Sequence, residues 1–294
     1  MNILITGGTG FIGRHLLELW KNAPHQITIV ARTTGPSLFS DKVRCIAADI
    51  TNAAEILAAI TLVKPEVVIH SAAMSKPNDC ELQKELCHKV NVQGTHYVME
   101  ACKSIGAKLI FTSTDFVFGH YGPYTEAHDY CPVNYYGESK VLAEKLVIAS
   151  GLPYAVVRTV MVYGKKLQGQ NNTFLHWVKE NLQQQKAIKV FTDQYRSVTF
   201  VNDLCSGIES IISKCFVGIV HLCGAEVFTP FQLAVAVADY FNFDKSLLLP
   251  VTKETFPEMA VRPQNSVLII DKAMHQLNYR ATRLKNALPQ IFAV

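Results

Sequence analysis

The sequence predicts an α/β protein: a doubly wound parallel sheet with helices on both faces, and a smaller C-terminal lobe. Three observations predict it. Short apolar runs alternate with longer helical patterns through the first half of the chain. The runs are continuously apolar rather than alternating, as in strands buried on both faces. The first run leads directly into a glycine-rich turn, Thr6-Gly7-Gly8-Thr9-Gly10-Phe11-Ile12-Gly13, from which a helical pattern starts.

Taken in order, Ile3-Leu4-Ile5 is the first strand. Phe11 to Trp20 is a helix, with Ile12, Leu16, Leu17 and Leu19 apolar. Ile27 to Val30 and Val43 to Ala47 are the next two strands, and a helix over Asn52 to Leu62 ends before Pro65. Val67-Val68-Ile69 is the fourth strand, followed by one long helix over about Asp79 to Lys103. Lys108 to Thr112 is the fifth strand, Val141 to Ile148 lies on a helix, and Ala155-Val156-Val157 is the sixth strand. After about Gly164 the pattern loosens, with polar stretches Gly169-Gln170-Asn171-Asn172 and Gln183-Gln184-Gln185. A helix near Asp203 to Ser213 and a strand at Val217 to Leu222 read as a return to the sheet. The remainder mixes a helix at Gln232 to Tyr240 with Pro250, Pro257, Pro263 and Pro289. The expected division assigns 1–162 and 197–228 to the sheet domain, and 163–196 and 229–294 to the smaller lobe.

The length of 294 residues suits two domains of roughly 150 residues each. With 49% hydrophobic and 18% charged residues, the chain is not of the disordered class. The net charge of +4 is spread out, with no long Lys/Arg block, so no nucleic-acid partner is expected. Stretches such as Phe216 to Val220 fall far short of the roughly 18 apolar residues of a membrane span, so no membrane association is expected. A strand pattern that begins at Asn2 leaves no room for a signal peptide, and a cytoplasmic location is expected. The eight cysteines, Cys45, Cys80, Cys87, Cys102, Cys131, Cys205, Cys215 and Cys223, form no CxxC pair. Cys87 and His88 are neighbours whose side chains diverge on a helix, so no metal site is expected and the thiols read as reduced.

The glycine turn carries the first chemistry. Gly7, Gly10 and Gly13 keep the spacing at which a chain turns sharply out of a strand and lets a pyrophosphate touch its backbone. Phe11 and Ile12 open the helix, whose free N–H groups and positive dipole end favour phosphate. The bland alternative is a tight turn without a ligand. At the end of the second strand an NAD site wants a carboxylate, and the nearest downstream, Asp41, lies too far along. Arg32 stands there instead, placed to pair with a 2′-phosphate or simply to be solvated. The expected cofactor is therefore NADP(H), with NAD(H) second. Asp49 and Ile50 follow the third strand, where a carboxylate can meet the adenine amino group. His70 ends the fourth strand, and Ser71, Ala72 and Ala73 continue into the wall of the same site.

The second chemistry lies in Thr112-Ser113-Thr114-Asp115-Phe116 and in Tyr135-Tyr136-Gly137-Glu138-Ser139-Lys140. Tyr136 and Lys140 are four residues apart and share a helical face, whereas Tyr135 leaves it. A nearby ammonium lowers a phenol's pKa, and such a tyrosine exchanges a proton with a carbonyl or alcohol oxygen. Thr114, at the carboxyl end of a parallel strand, is placed to bond the same oxygen.

With these residues in place the chain resembles the extended short-chain dehydrogenase/reductase superfamily and its Rossmann fold. The likeness includes the glycine turn, His70-Ser71-Ala72-Ala73, Asn91-Val92-Gln93-Gly94-Thr95, the Thr114 segment and the Tyr136/Lys140 pair. Within the superfamily it looks most like the dTDP-4-dehydrorhamnose reductase family. That closer likeness rests on Ser113 to Phe118, Asp193-Gln194, Asp203-Leu204 and Arg262-Pro263-Gln264-Asn265-Ser266-Val267-Leu268, followed by Asp271.

The resemblance implies an NAD(P)H-dependent reductase of a nucleotide-linked 4-keto-deoxysugar. Thr114, Tyr136 and Lys140 are its implied catalytic residues, and Asn91 joins the cofactor set. Thr114, Asp115, Asn171, Arg196 and Arg262 are the implied substrate contacts, with the Arg262 guanidinium suited to a pyrophosphate or to an ion pair within the lobe. Phe11 stands where the family's reductases carry glutamine, a wording closer to the epimerases. Related dehydratases follow the Thr-Asp pair with glutamate, and Phe116 here removes that agent of elimination. A nucleotide-sugar 4-epimerase and a non-catalytic, NADP-binding regulatory subunit remain the alternatives. The resemblance also leaves a homodimer open.

Overall fold

The computed structural model describes residues 1–33 and 43–293, so Asp41 and Val294 lie outside the described residues. Seven strands make the central sheet. They are β1 (Asn2–Thr6), β2 (Gln26–Ala31), β3 (Val43–Ala47), β4 (Val67–His70), β5 (Lys108–Thr114), β6 (Tyr154–Thr159) and β10 (Gly218–His221). Between the last two in sequence come the short strands β7 (Val162–Tyr163), β8 (Ile188–Phe191) and β9 (Thr199–Phe200), and β11 (Leu248–Val251) follows. The sheet order is β10-β6-β5-β4-β1-β2-β3, and every pairing is parallel. The order reverses beside β1, which makes the carboxyl ends of β1 and β4 the place where such sheets bind ligands.

The helices are α1 (Phe11–Leu19), α2 (Ala53–Val63), α3 (Pro77–Leu82), α4 (Lys84–His88), α5 (Gly94–Ile105) and α6 (Tyr135–Ala149). The second half adds α7 (Phe174–Gln183), α8 (Val201–Ser213), α9 (Pro230–Phe241), α10 (Asp271–Leu277) and α11 (Leu284–Phe292). The pleat of β1 explains the two-layer packing. Ile3 and Ile5 enter the core under α1 and α8, while Leu4 enters the core under α2, α5 and α6. Local chemistry sets the helix ends. Asn52 caps α2 through Ala54 and Glu55, Gly106 takes a left-handed turn after α5, and Thr229 with Gln232 closes a capping box on α9.

The structure departs from the sequence reading in three places. The single helix expected over Asp79 to Lys103 is broken into α3, α4, a π-helical turn over Lys89–Gln93 and α5. Gln83 leaves helical geometry, and the widened turn carries the buried Asn91. The polar region around Gln183 contains a regular helix, α7, whose Leu175, Val178 and Leu182 face a separate core while the glutamines fray its end.

The third departure concerns the boundary between sheet domain and lobe. Val198 and Phe200, expected with the sheet, pack in the lobe core with Leu233, Val237 and Leu288. Leu268, Ile270, Ala273 and Leu277, expected in the lobe, return to the core beneath the sheet. Apolar faces decide these memberships, and Ile270 and Leu277 flank α10 on the side that meets β10 and α8. No described helix is long and apolar enough to cross a membrane.

Candidate active site

The carboxyl ends of β1, β4, β5 and β6 open into one cleft of about 1220 Å³. Gly7 sits at its head with φ +74°, a conformation that suits glycine. A Cβ at Gly13 would lie 2.5 Å from the Gly7 carbonyl oxygen, so the helix could not pack this close to the turn with any side chain there. Gly10 caps α1 without a side-chain bond, which leaves the first-turn N–H groups free to face the cleft. Gly7, Gly10, Phe11, Ile12 and Gly13 all line it, as do Arg32, Asp49, Ile50, Ser71, Ala72 and Ala73. The buried Ser71 hydroxyl has no partner within the protein. A dinucleotide fits this donor set: a helix N-terminus for its pyrophosphate, an unfilled hydroxyl, and Arg32 at the end of β2.

Asn91 does not line the cleft. It is buried, and its side chain brackets the Met74 peptide, accepting from Met74 N at 2.8 Å and donating to Met74 O at 3.0 Å. It also donates to the Ser139 hydroxyl at 2.9 Å, and Ser139 donates to the Tyr136 carbonyl at 2.7 Å. The sequence-based place of Asn91 among cofactor contacts is thereby corrected: it fixes the loop after β4 against α6. His70 also stays behind the wall, between Thr6 Oγ1 at 2.6 Å and Thr95 Oγ1 at 3.0 Å. Thr95 donates to the Asn91 carbonyl, so the His70 Nε2 must carry the proton and Nδ1 must accept from Thr6. Burial and the nearby Lys140 push His70 down to about 3, consistent with that neutral ring.

Tyr136 and Lys140 line the cleft and Tyr135 does not. Tyr135 instead caps its neighbourhood from outside, with its N–H on Glu81 at 2.7 Å and Lys84 over its ring at 5.3 Å. Asn134 caps α6 by accepting from Gly137 N, which fixes the register that aims Tyr136 inward. A Cβ at Gly137 would lie 2.2 Å from the Phe116 carbonyl oxygen, so α6 approaches the end of β5 closely only through glycine. Thr114 lines the cleft too, and its hydroxyl donates to Asp115 at 3.1 Å and accepts from Phe116 N at 3.3 Å.

The electrostatics differ from the sequence expectation. Burial pushes the Tyr136 phenol up, with the Thr114 hydroxyl pulling the other way. The same burial pushes the Lys140 ammonium down to about 7, against a weaker upward pull from Glu144. Lys140 donates to the Thr112 carbonyl at 2.7 Å and lies 3.9 Å over the Phe111 ring. The phenol is thus held protonated rather than lowered by its lysine.

At the other end of the cleft, Asp115 is 1% exposed and links β5 to the Arg262–Leu268 stretch by accepting from Ser266. Burial raises its carboxyl, opposed by the charge of Arg196. Arg196 and Arg262 both line the cleft, and each guanidinium is pushed down chiefly by burial. Arg262 pairs with Glu258 at 3.4 Å and donates to Asn78 at 3.2 Å, so the lobe ion pair weighed from the sequence is present. Asn171 lines the cleft beside Gln170, whose amide reaches towards the Gly10 and Phe11 carbonyls at 3.5 Å. That places it by the glycine turn.

Sequence reasoning missed Met74, Lys89, Met161 and Gln194, all cleft-lining. Met74 follows Ser71-Ala72-Ala73 directly and could have been read by extending that loop. Gln194 belongs to the Asp193-Gln194 pair already marked by the family resemblance, and nothing local marks Lys89 or Met161. No group of residues suited to hold a metal occurs among the described residues.

A glycine turn at the switch point of a parallel sheet, with a buried Tyr136/Lys140 pair facing it, defines an extended short-chain dehydrogenase/reductase. The dTDP-4-dehydrorhamnose reductase of Aggregatibacter actinomycetemcomitans is 28% identical over 99% of this chain and 98% of its own length. Methionine adenosyltransferase 2 subunit beta of Xenopus laevis is 32% identical, over 85% of this chain and 75% of its own. The crystal structure of dTDP-4-dehydrorhamnose reductase from Bacillus anthracis in complex with NADP superposes with a TM-score of 0.84 at 28% identity. It covers 99% of this chain and 98% of that one. The model of the RmlD substrate binding domain family matches residues 1–294, and the chain belongs to that family.

Proposed function

We propose that the protein is an NADPH-dependent reductase of a nucleotide-linked 4-keto-deoxysugar, of the dTDP-4-dehydrorhamnose reductase type, with NADH a poorer cofactor. One observation carries the reading: Thr114, Tyr136 and Lys140 share a single cleft with the glycine turn at one end and Arg196 and Arg262 at the other. The end-to-end match with reductases supports it over the regulatory-subunit alternative, since the subunit from Xenopus laevis is matched over only 75% of its length.

In this reading Gly7 to Gly13 and the α1 N-terminus hold the cofactor pyrophosphate, Arg32 its 2′-phosphate, and Asp49 with Ile50 the adenine. When bound, the cofactor supplies hydride to the sugar carbonyl carbon. Tyr136 Oη holds the proton that the carbonyl oxygen takes, and burial keeps that proton in place until it is needed. Thr114 orients the oxygen. Lys140 presents its ammonium, three donors on one stem, to the cofactor ribose and to the tyrosine. Arg262 and Arg196 attract the sugar-nucleotide pyrophosphate. Both oxygens of Asp115 are already engaged, by Thr114 and Ser266, which argues against its serving as the acid or base of a dehydration.

The test is a panel of nucleotide-linked 4-ketosugars with NADPH and NADH, followed by loss of reduced-nicotinamide absorbance. Turnover with NADPH is expected. Cofactor binding without turnover of any member, together with a co-purifying partner protein, would replace this reading with the regulatory subunit.

A further inference from the structure

The carboxylate that pairs with Arg262 has a second partner. Glu258 Oε1 meets Arg262 Nη2 at 3.4 Å, and Glu258 Oε2 accepts from the Gln194 amide at 2.9 Å. The carbonyl oxygen of the same amide accepts from Arg196 Nη2 at 3.4 Å. Arg196, Gln194, Glu258 and Arg262 thus form one chain, with a cleft-lining guanidinium at each end. The partners fix the way the amide faces. Turned over, it would set its oxygen against a carboxylate and its NH2 against a guanidinium. An amide donates to the anion and accepts from the cation at once, which neither a carboxylate nor an apolar side chain of this length can do.

The surrounding backbone is tied on both sides. Tyr195 N donates to Gln264 O at 2.7 Å, and Arg196 N donates to Phe228 O at 2.9 Å. Asp193 accepts from Lys253 N at 2.9 Å, so Asp193 and Gln194 together hold the loop that carries Glu258. Gln194 is buried, and water cannot readily replace what its amide would lose there. Burial lowers the Arg196 guanidinium and Asp115 opposes it, while the charge of Arg262 adds to the lowering and Glu258 offsets that. Two cations that disfavour each other are thus joined through one carboxylate and one amide.

We propose that Gln194 is a positioning residue for the substrate diphosphate: it aims Arg196 into the cleft and holds Glu258 back when phosphate takes Arg262. The role rests on the proposed contact of Arg196 and Arg262 with that diphosphate. A carboxylate with no other donor follows its arginine and competes with phosphate for it, whereas one held by Gln194 is left behind.

The experiment compares the full-length chain with Gln194→Met, Gln194→Glu and the double substitution Gln194→Glu with Glu258→Gln. Each is titrated calorimetrically with thymidine diphosphate and with NADPH, and assayed on the sugar nucleotide it reduces. Gln194→Met removes both bonds at constant length and should weaken thymidine diphosphate several-fold. Gln194→Glu sets a second carboxylate beside Glu258 and a countercharge on Arg196, for a loss of roughly ten-fold or more. The double substitution restores one carboxylate and one amide between the two guanidiniums in reversed order, and should recover most of that loss. The KM for the sugar nucleotide should follow the same order while kcat changes less, and NADPH should bind all four proteins alike. Unchanged diphosphate affinity in both single variants would overturn the proposal, and so would a double variant no better than Gln194→Glu. Failure of the parent to bind thymidine diphosphate would overturn it together with the substrate reading. Diphosphate binding without turnover of any 4-ketosugar would remove the reductase reading alone.

Discussion

Replacing Lys140 by methionine should abolish turnover and make the cofactor-free protein more stable at neutral pH. The structure supplies the magnitude. Lys140 is 3% exposed, has one hydrogen bond to the Thr112 carbonyl, and its pKa falls from 10.5 to about 7. At about 1.4 kcal/mol per pKa unit, that depression costs roughly 4 kcal/mol of folding stability at pH 7. Below pH 7 the folded and unfolded chains both carry the ammonium, and the penalty is whole. From about 7 to 10.5 the folded chain holds a neutral amine while the unfolded one stays charged, so stability climbs as pH rises. Above that window both are neutral and the penalty is gone.

Methionine keeps the length of the side chain and removes the charge, but it leaves the Thr112 carbonyl without its donor, at a cost of about 1–3 kcal/mol. The variant should therefore be more stable than the parent by about 1–3 kcal/mol at pH 7. It should be less stable above about pH 10, with the two curves crossing between. Urea unfolding of cofactor-free protein at pH 6.5, 8 and 9.5 measures this. A stability difference that does not change with pH would refute the reasoning, because it would mean that the buried amine does not titrate in that window.

Arg32→Ala should weaken NADPH roughly ten-fold or more and leave NADH little changed, since one charge-assisted phosphate bond is worth about 1.5–3 kcal/mol; equal losses for both cofactors, read by titration, would assign Arg32 to solvent. Tyr136→Phe should cut reduction by about two to four orders of magnitude while retaining NADPH binding, and Tyr135→Phe should do far less. If Tyr135→Phe is the inactive one, the register of α6 in the site is misassigned. Arg262→Met should raise the KM for the sugar nucleotide more than it lowers kcat, with the nucleotide diphosphate alone losing affinity in parallel; an unchanged KM would leave Arg262 only its Glu258 partner.

What the sequence reveals here is what is local. The glycine turn is legible because the strand before it, the helix after it and the spacing within it are contiguous. The choice of Tyr136 over Tyr135 is legible because helical period alone separates them by a face. The division into two cores is less so, because Leu268 to Leu277 rejoin the sheet after a long detour through the lobe, and no neighbour in sequence marks the return. The helix α7 was hidden because its apolar face is narrow and its end is glutamine-rich. Asn91 and the π-helical turn show a third kind of blindness. An Asn-Val-Gln-Gly-Thr run names a residue but not whether its amide faces a ligand or the peptide of Met74, which only the packed structure decides. The phenol's pKa is hidden for the same reason: spacing places an ammonium near Tyr136, but burial, which raises the phenol and lowers the ammonium, is set by the packed structure.

The distribution of charge around α6 then explains why Lys140 is the cation that this helix brings to the cleft. Glu144 lies one turn along on the same helix, fully buried, but it is consumed. It pairs with Arg158 at 2.7 Å, accepts from Tyr130 at 2.8 Å and accepts from Ser113. Such a pair contributes little net stability, yet losing one member costs about 3–5 kcal/mol, so it holds α6 to β5 and β6. His70, the other titratable neighbour, is kept neutral by burial and the nearby Lys140, with its ring held between the hydroxyls of Thr6 and Thr95. With Glu144 and Arg158 paired and His70 neutral, Lys140 is the cation that α6 brings to the cleft, alongside Arg32 and Lys89 from other elements. At the far side Arg262 begins paired with Glu258, and Arg196 lies close to Asp115. A diphosphate must therefore draw Arg262 away from a carboxylate, whereas a ribose hydroxyl meets Lys140 where its hydrogen bond is to the Thr112 carbonyl. The two residues thus differ in kind: Lys140 is buried and held by a backbone carbonyl, whereas Arg262 is a charge that binding has to draw from its carboxylate partner.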